Sequence, residues 1–142
     1  MSHDEEGQAT VFVVAFAVVL LVLAGLVVDG GLALNARQRV ADDVEQAARA
    51  GAQRLNEGAL RSTPGRVVID PGPADVAARE FLITRGYPAK DIVVNPQPDA
   101  VTVRATIHQP TALLSLVLID HFTVTAQGQA RPAVGITGEG NP

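Results

Sequence analysis

Residues 9–28 are twenty side chains without one charge, and the chain runs from them into a polar helical pattern that meets no proline through Asn56. At about 1.5 Å per residue such a run reaches roughly 30 Å, the thickness of a bilayer's hydrocarbon core. Lipid offers no water to backbone groups, so a chain segment there has to be helical. Two other uses of an apolar run compete. A cleaved secretory signal needs a basic start, an apolar run of roughly 7–15 residues and a small-residue cleavage site. Here the start carries Asp4, Glu5 and Glu6, and the run is longer. A buried core helix is usually shorter and interrupted by polar positions. The run therefore reads as a membrane span, extended by a helix that lies in water.

Asp29, Gly30 and Gly31 follow the run at once. Paired glycines weaken a helix and allow a bend at the membrane exit. Asp29 reads as an interfacial carboxylate facing water, or alternatively as a charge that pairs with a neighbouring subunit and sets register. Beyond it, Leu32, Ala36, Val40, Val44, Ala47, Gly51 and Leu55 recur in steps of four or three, a stripe on one helix face that Ala48 and Ala52 widen. Arg39, Asp42, Asp43, Glu45, Gln46, Arg49 and Gln53 are assigned to the opposite face. Glu45 and Arg49 stand in the favourable i, i+4 order. So small a stripe permits close backbone approach, either to the chain's own sheet or to a sister helix. The span itself has no pair of glycines at four-residue spacing.

The remainder reads as a small domain. Residues 58–65 look like a loop broken by Pro64 and Gly65, and 67–69 like a short strand. Pro71-Gly72-Pro73 turns into a helix whose Ala74, Ala77, Ala78, Phe81 and Leu82 form one buried face. Gly86 ends it and Pro88 prevents its resumption. A strand is expected at 92–94, then a hairpin-like connection made by Pro96 and Pro98-Asp99. Val101, Val103, Ala105 and Ile107 alternate with Thr102, Arg104, Thr106 and His108. Phe122, Val124, Ala126 and Ala130 alternate in the same way with Thr123, Thr125, Gln127 and Gln129. Such alternation suits an antiparallel sheet with one wet face, and a helix must cover the dry one. Between these strands, residues 111–119 are apolar almost all round. They are either a short buried element or an exposed patch that meets a partner or the membrane surface.

Composition narrows the chemistry. The chain has 142 residues, no cysteine, no tryptophan, one tyrosine and a formal charge of −4. That excludes disulfides and thiolate sites, and it argues against a nucleic-acid surface. No phosphate-cradling glycine loop, His-Glu-x-x-His or Gly-x-Ser-x-Gly occurs. His3, His108 and His121 read as isolated, with His108 solvated. The adjacent Asp42 and Asp43 would diverge by about 100° on a helix. No catalytic, cofactor-binding or metal-ligating set is expected, and no enzyme activity. About 70 residues beyond the long helix make a marginal core without staples, which favours the second half of the helix as part of it.

The expected fold is α+β: a long N-terminal helix, membrane-spanning in its first half and amphipathic in its second, packed on a small antiparallel sheet with one or two short helices. The expected segments are a short polar N-terminus at 1–8, the transmembrane helix at 9–28, its extension at 29–56, a small α+β domain at 57–134 and a flexible tail at 135–142.

The stretch Gly7-Gln-Ala-Thr-Val-Phe, the exit Val28-Asp29-Gly-Gly-Leu and the alanine-rich helix Asn35-Ala-Arg-Gln-Arg-Val-Ala-Asp-Asp-Val-Glu-Gln-Ala-Ala-Arg-Ala resemble the TadE/TadG-like proteins of tight-adherence (Flp-type) pilus assembly. The strand Phe122-Thr-Val-Thr-Ala-Gln-Gly-Gln-Ala is also similar to their closing strand. The resemblance implies a pilin-like fold and a non-catalytic, envelope-anchored minor pilin or pseudopilin, an assembly component of a pilus or related secretion machine. Its expected partners are the membrane and other subunits with similar N-terminal helices, in a hetero- or homo-oligomer formed through that helix, with no nucleic acid. Candidate assembly contacts are Phe12, Phe16, Gly25, Asp29, Ala47, Gly51, Leu113 and Leu116, and Gly7 is a candidate processing site. A prepilin-type cut after Gly7 would put Phe12 where such pilins carry glutamate. The other reading is a single-span envelope module that presents its small domain to a soluble or wall ligand.

Charge and resemblance point to opposite topologies. The N-terminal flank has no Lys or Arg, while Arg37 and Arg39 follow the span. The positive-inside rule alone would leave the C-terminal domain in the cytoplasm. The resemblance implies the inner (cytoplasmic) membrane crossed once, with the domain extracytoplasmic and possible incorporation into a surface pilus. That topology is the expectation adopted here.

Overall fold

The computed structural model of the protein describes residues 3–62 and 67–133, with only the backbone for 3–8 and Val117. The expected turn at Pro64-Gly65 and the tail at 135–142 lie outside the described residues. The fold is α+β. Helix α1 runs over His3–Ala52, α2 over Glu57–Ser62 and α3 over Pro71–Thr84. Strands β1 (Ile92–Pro96), β2 (Val101–Pro110) and β3 (His121–Ala130) form one sheet in the order β1-β2-β3. Short 3-10 turns stand at Ala89–Asp91 and Leu114–Val117. Contacts divide the chain into two units: α1 through Ala36 with His108–Thr123, and Arg37–Ile107 with the chain from Val124 on.

In the second unit the later part of α1 packs on the sheet. Val40, Val44, Ala47, Ala48 and Ala52 are buried, and so are Val101, Val103 and Ala105 of β2, and Val124 and Ala130 of β3. Helix α3 adds Ala74, Ala78 and Leu82. β1 runs antiparallel to β2, with Ile92 opposite Ala105 and Val94 opposite Val103. Across β2 and β3, Arg104 donates to Gln127 at 2.7 Å and the Thr106 and Thr125 hydroxyls lie 2.9 Å apart. These pairs step in opposite directions along the two strands, as an antiparallel ladder requires. They also occupy the wet face, opposite the buried valines.

Helix α3 starts at Pro71, where a missing N–H leaves no bond unmade. It ends in a Schellman turn. Gly86 has φ +90°, its N–H donates to Ile83 O at 2.9 Å, and that of Tyr87 to Leu82 O at 3.1 Å. Arg79 fixes the helix to β1: its guanidinium grips Asp75 at 2.9 and 3.1 Å and donates to Ile92 O at 3.0 Å.

Several local expectations are corrected. Residues 67–69 are not a strand. Only an isolated bridge, Leu55 to Ile69, forms there, made by Asn56 N–H to Val68 O and Asp70 N–H to Arg54 O at 2.8 Å each, because α2 begins at Glu57 and α3 at Pro71. Helix α1 ends at Ala52 rather than Asn56, since Asn56 N–H turns to Val68 O at 2.8 Å. The start of the expected loop is helix α2, capped by Asn56, whose side-chain oxygen accepts Ala59 N–H at 2.9 Å. Gly30 and Gly31 do not interrupt α1. Leu32 is exposed, and Asp43, assigned to the polar face, is buried.

Asp43 is buried because it has partners. One carboxylate oxygen takes Arg85, and the other accepts the Tyr87 hydroxyl at 2.8 Å. Arg85 also lies over the Phe81 ring, 4.4 Å from its centroid. The acid in α1 thereby holds the C-terminal turn of α3. Burial and the hydrogen bond to Asp43 push the Tyr87 hydroxyl well above its ordinary value of 10.0.

Two glycines set how closely the layers approach. A Cβ on Gly128 would stand 2.7 Å from Glu45 N, 2.8 Å from Glu45 Cα and 2.9 Å from Val44 C, all helix backbone. One on Gly51 would stand 3.0 Å from Ala74 O and 3.2 Å from a Val101 methyl. Gly128→Ala therefore has no flexible neighbour to displace. It is expected to destabilise by about 3 kcal/mol, at the upper end of overpacking costs, and Gly51→Ala by less. Thermal unfolding in detergent measures both.

The raised Tyr87 value gives a pH prediction. Its stabilisation is complete below the unfolded value of about 10 and is lost as pH rises through the folded one. As the chain has one tyrosine, alkaline titration of phenolate absorbance reads this residue alone. The folded transition should lie above that of the denatured chain, and Asp43→Asn should bring it back toward the denatured one.

Candidate functional site

Every side chain from residue 9 to 24 is exposed, although almost all are apolar. Phe12, at 71% exposure, stacks on Phe16, with ring centroids 6.3 Å apart and 8° between their planes. Among the described residues, no stretch of the first unit covers them. The described residues contain one helix long and apolar enough to cross a membrane, and it is α1. In water this surface would be a large contiguous apolar patch of the kind that marks a membrane or protein contact.

Asp29 ends the apolar run and is fully buried. It does not face water, contrary to the reading as an interfacial carboxylate. Its oxygens accept three consecutive backbone N–H groups, Ala112 at 2.7 Å, Leu113 at 3.0 Å and Leu114 at 2.6 Å. These donors open the 3-10 turn Leu114–Val117, whose first N–H groups have no partner within it. The carboxylate thus caps the turn from outside, with charge-assisted bonds stronger than neutral ones. One helical turn earlier, a Cβ on Gly25 would stand 3.2 Å from Leu113 Cβ and 3.5 Å from a Leu114 methyl. Glycine at 25 lets the loop lie against the helix, and Asp29 fastens it there.

The candidate assembly residues separate by surroundings. Gly25 and Asp29 hold the loop of the same chain, and Leu113 is half-buried against Gly25. Ala47 and Gly51 lie in the core of the second unit. Phe12, Phe16 and Leu116 are exposed and open to a neighbour. Gly7 lies in α1 before Ala9, where the backbone alone is described. His108 and His121, read as isolated, meet edge to face at 5.7 Å, with Thr123 Oγ1 3.3 Å from His108 Nδ1. No cluster of three metal-ligating side chains occurs among the described residues. The groove lined by Ala50, Arg54, Glu80, Phe81 and Arg85 lies along α1 and α3 in the second unit.

Residues 7–54 match the model of a family described as Flp pilus-assembly TadE/G-like. The N-terminal segment is therefore similar to the TadE/G-like family that its sequence resembles. No curated protein and no solved structure matches the chain. The family segment and the apolar helix together fit an assembly-related, membrane-anchored, single-pass component.

Asp29→Ala would leave three N–H groups without an acceptor, at about 1–3 kcal/mol each where they stay buried. Amide hydrogen exchange in detergent should speed up at Ala112, Leu113 and Leu114 by about tenfold or more, while Val101 and Val103 keep their protection. Asp29→Asn, which retains one acceptor oxygen, should fall between.

Proposed function

We propose that the protein is a non-catalytic minor pilin or pseudopilin, an assembly subunit of a Tad/Flp-type pilus or related secretion machine. Its N-terminal helix is held in the inner membrane and its sheet domain stands outside the cytoplasm. The observation that carries this reading is the apolar first part of α1, uncovered by any other described residue and lying in the segment that matches the pilus-assembly family. A helix of this kind has two possible coverings, lipid and sister helices, and a subunit that moves from membrane to fibre would use both in turn. Phe12, Phe16 and Leu116 are the side chains placed to meet a neighbour. The non-catalytic part of the reading is supported by the surroundings of the titratable groups. Asp29 and Asp43 are both taken up by contacts within the chain.

The test is photo-crosslinking of the full chain in its own cells, with the reactive group at Phe12 or Phe16. Adducts with other small single-span proteins of similar N-terminal helix are expected. Adducts with lipid alone, and a solitary monomer in gentle detergent, would overturn the assembly role and favour the single-span binding module. Topology is read separately with Asp99→Cys, in a chain that has no cysteine of its own. Labelling by a membrane-impermeant maleimide on intact cells is expected. Labelling only after lysis would put the domain in the cytoplasm.

A further inference from the structure

We propose that the loop between β2 and β3, residues 111–120, is a second membrane-contacting element that dips into the outer edge of the bilayer beside α1. The inference rests on residues 9–28 lying in lipid and adds a contact that the span does not require.

Depth is the first argument. Leu113 and Leu114 lie against Gly25, three residues inside the end of the uncharged run. At about 1.5 Å per residue this is roughly 5 Å inside the hydrocarbon boundary, the depth at which interfacial apolar segments sit. Asp29 fixes the loop at that level through three N–H groups. If the span is in lipid, the loop tip cannot remain wholly outside.

The second argument is what the loop exposes. Leu116 is 67% exposed, Leu118 90% and Ile119 44%, continuous in character with exposed Leu26 and Val27 of the helix. Leu118 is the one non-glycine residue at positive φ among the described residues, at φ 66° and ψ 22°. A leucine held in the left-handed region with almost its whole side chain bare is an arrangement in which glycine would serve the turn better. Strain of this kind points to a use for the side chain.

The third argument concerns the backbone. Irregular chain is tolerated at membrane depth only where its polar groups are satisfied. Here Thr111 N–H donates to Asp120 O at 3.0 Å, Leu116 to Leu113 O at 3.1 Å, Leu118 to Ser115 O at 3.2 Å and Ile119 to Leu114 O at 3.1 Å. The Thr111 and Ser115 hydroxyls donate to carbonyls of the same loop, Ile119 O and Ala112 O. The N–H groups of Ala112, Leu113 and Leu114 go to Asp29. Seven backbone donors of the loop are thus taken up within the chain, which lowers the cost of placing it at membrane depth. The first charge after the apolar residues is Asp120, which marks where the chain returns to water.

The absence of native cysteine gives a clean test. Leu118→Cys is made in the full chain, labelled with a fluorophore and reconstituted into phosphatidylcholine–phosphatidylglycerol vesicles. Val19→Cys serves as the span control and Gln38→Cys as the water control, all three at exposed positions. Nitroxide carried on lipid acyl chains should remove most of the fluorescence at 118, as at 19, while iodide in the buffer quenches 38 but spares 118. Iodide quenching at 118 with lipid quenching at 19 would overturn the loop contact and leave the span intact. Protection at 118 from both quenchers would mean protein covers the loop, which also overturns it. Iodide quenching at 19 would refute the span, and the loop contact with it.

Discussion

A single helix has to serve two solvents without a break, and the rest of the molecule is arranged around that constraint. In lipid the α-helix is the one open-chain form that satisfies its own backbone. In water most helical stability comes from packing an apolar face against something else. α1 meets the first demand with uncharged side chains exposed on its early turns and the second with a narrow stripe of valine, alanine and glycine on its later ones. The sheet has a dry face that needs covering, and the stripe needs a surface to cover, so neither is complete alone.

The stripe works through smallness rather than bulk. A chain with no cysteine must gain its stability from contact, and contact between layers improves as the backbones approach. Gly128 in β3 lies under the backbone of Val44 and Glu45, and Gly51 in α1 lies under Ala74 and Val101. Each glycine removes the one atom that would hold the layers apart. The price is a backbone that loses more freedom on folding than any other residue's, and the close packing of Val40, Val44, Val101 and Val103 offsets it.

Periodicity made most of the architecture legible. The alternation at 101–107 and 122–130 marked two strands and their buried faces, and Pro71, Gly86 and Pro88 bracketed α3, because each of these signals is local. What escaped the sequence was what depends on a partner far along the chain. Residues 67–69 carry strand-forming side chains, yet α2 begins at Glu57 and α3 at Pro71, so the pairing stops at one bridge. Asn56 caps the short helix α2, but the Pro64-Gly65 breaker after it masked that helix in the sequence. The fold around the candidate site was legible as an apolar run followed by an acid. The site's closure was not, because the three donors to Asp29 are backbone groups of residues 112–114, and a backbone N–H has no sequence signature.

Asp29 and Asp43 show why charge was the hardest feature to place. An acid in a helix is ordinarily assigned to the wet face, and both lie instead on the buried side. For Asp43 a signal existed: Ala36, Val40, Asp43 and Ala47 recur in steps of four, three and four, so the acid sits on the stripe. Burying a carboxylate is costly unless it is paired and hydrogen-bonded. Asp29 meets that condition with three N–H groups and Asp43 with Arg85 and Tyr87. Apolar side chains in their places would pack, but they would tolerate a slip of the helix past what it touches. An acid with fixed donors does not, since rotating α1 by one residue, about 100°, would leave the charge buried and unpaired. The two carboxylates therefore set register, each for the segment it grips, while Gly25, Gly51 and Gly128 are left free to set distance.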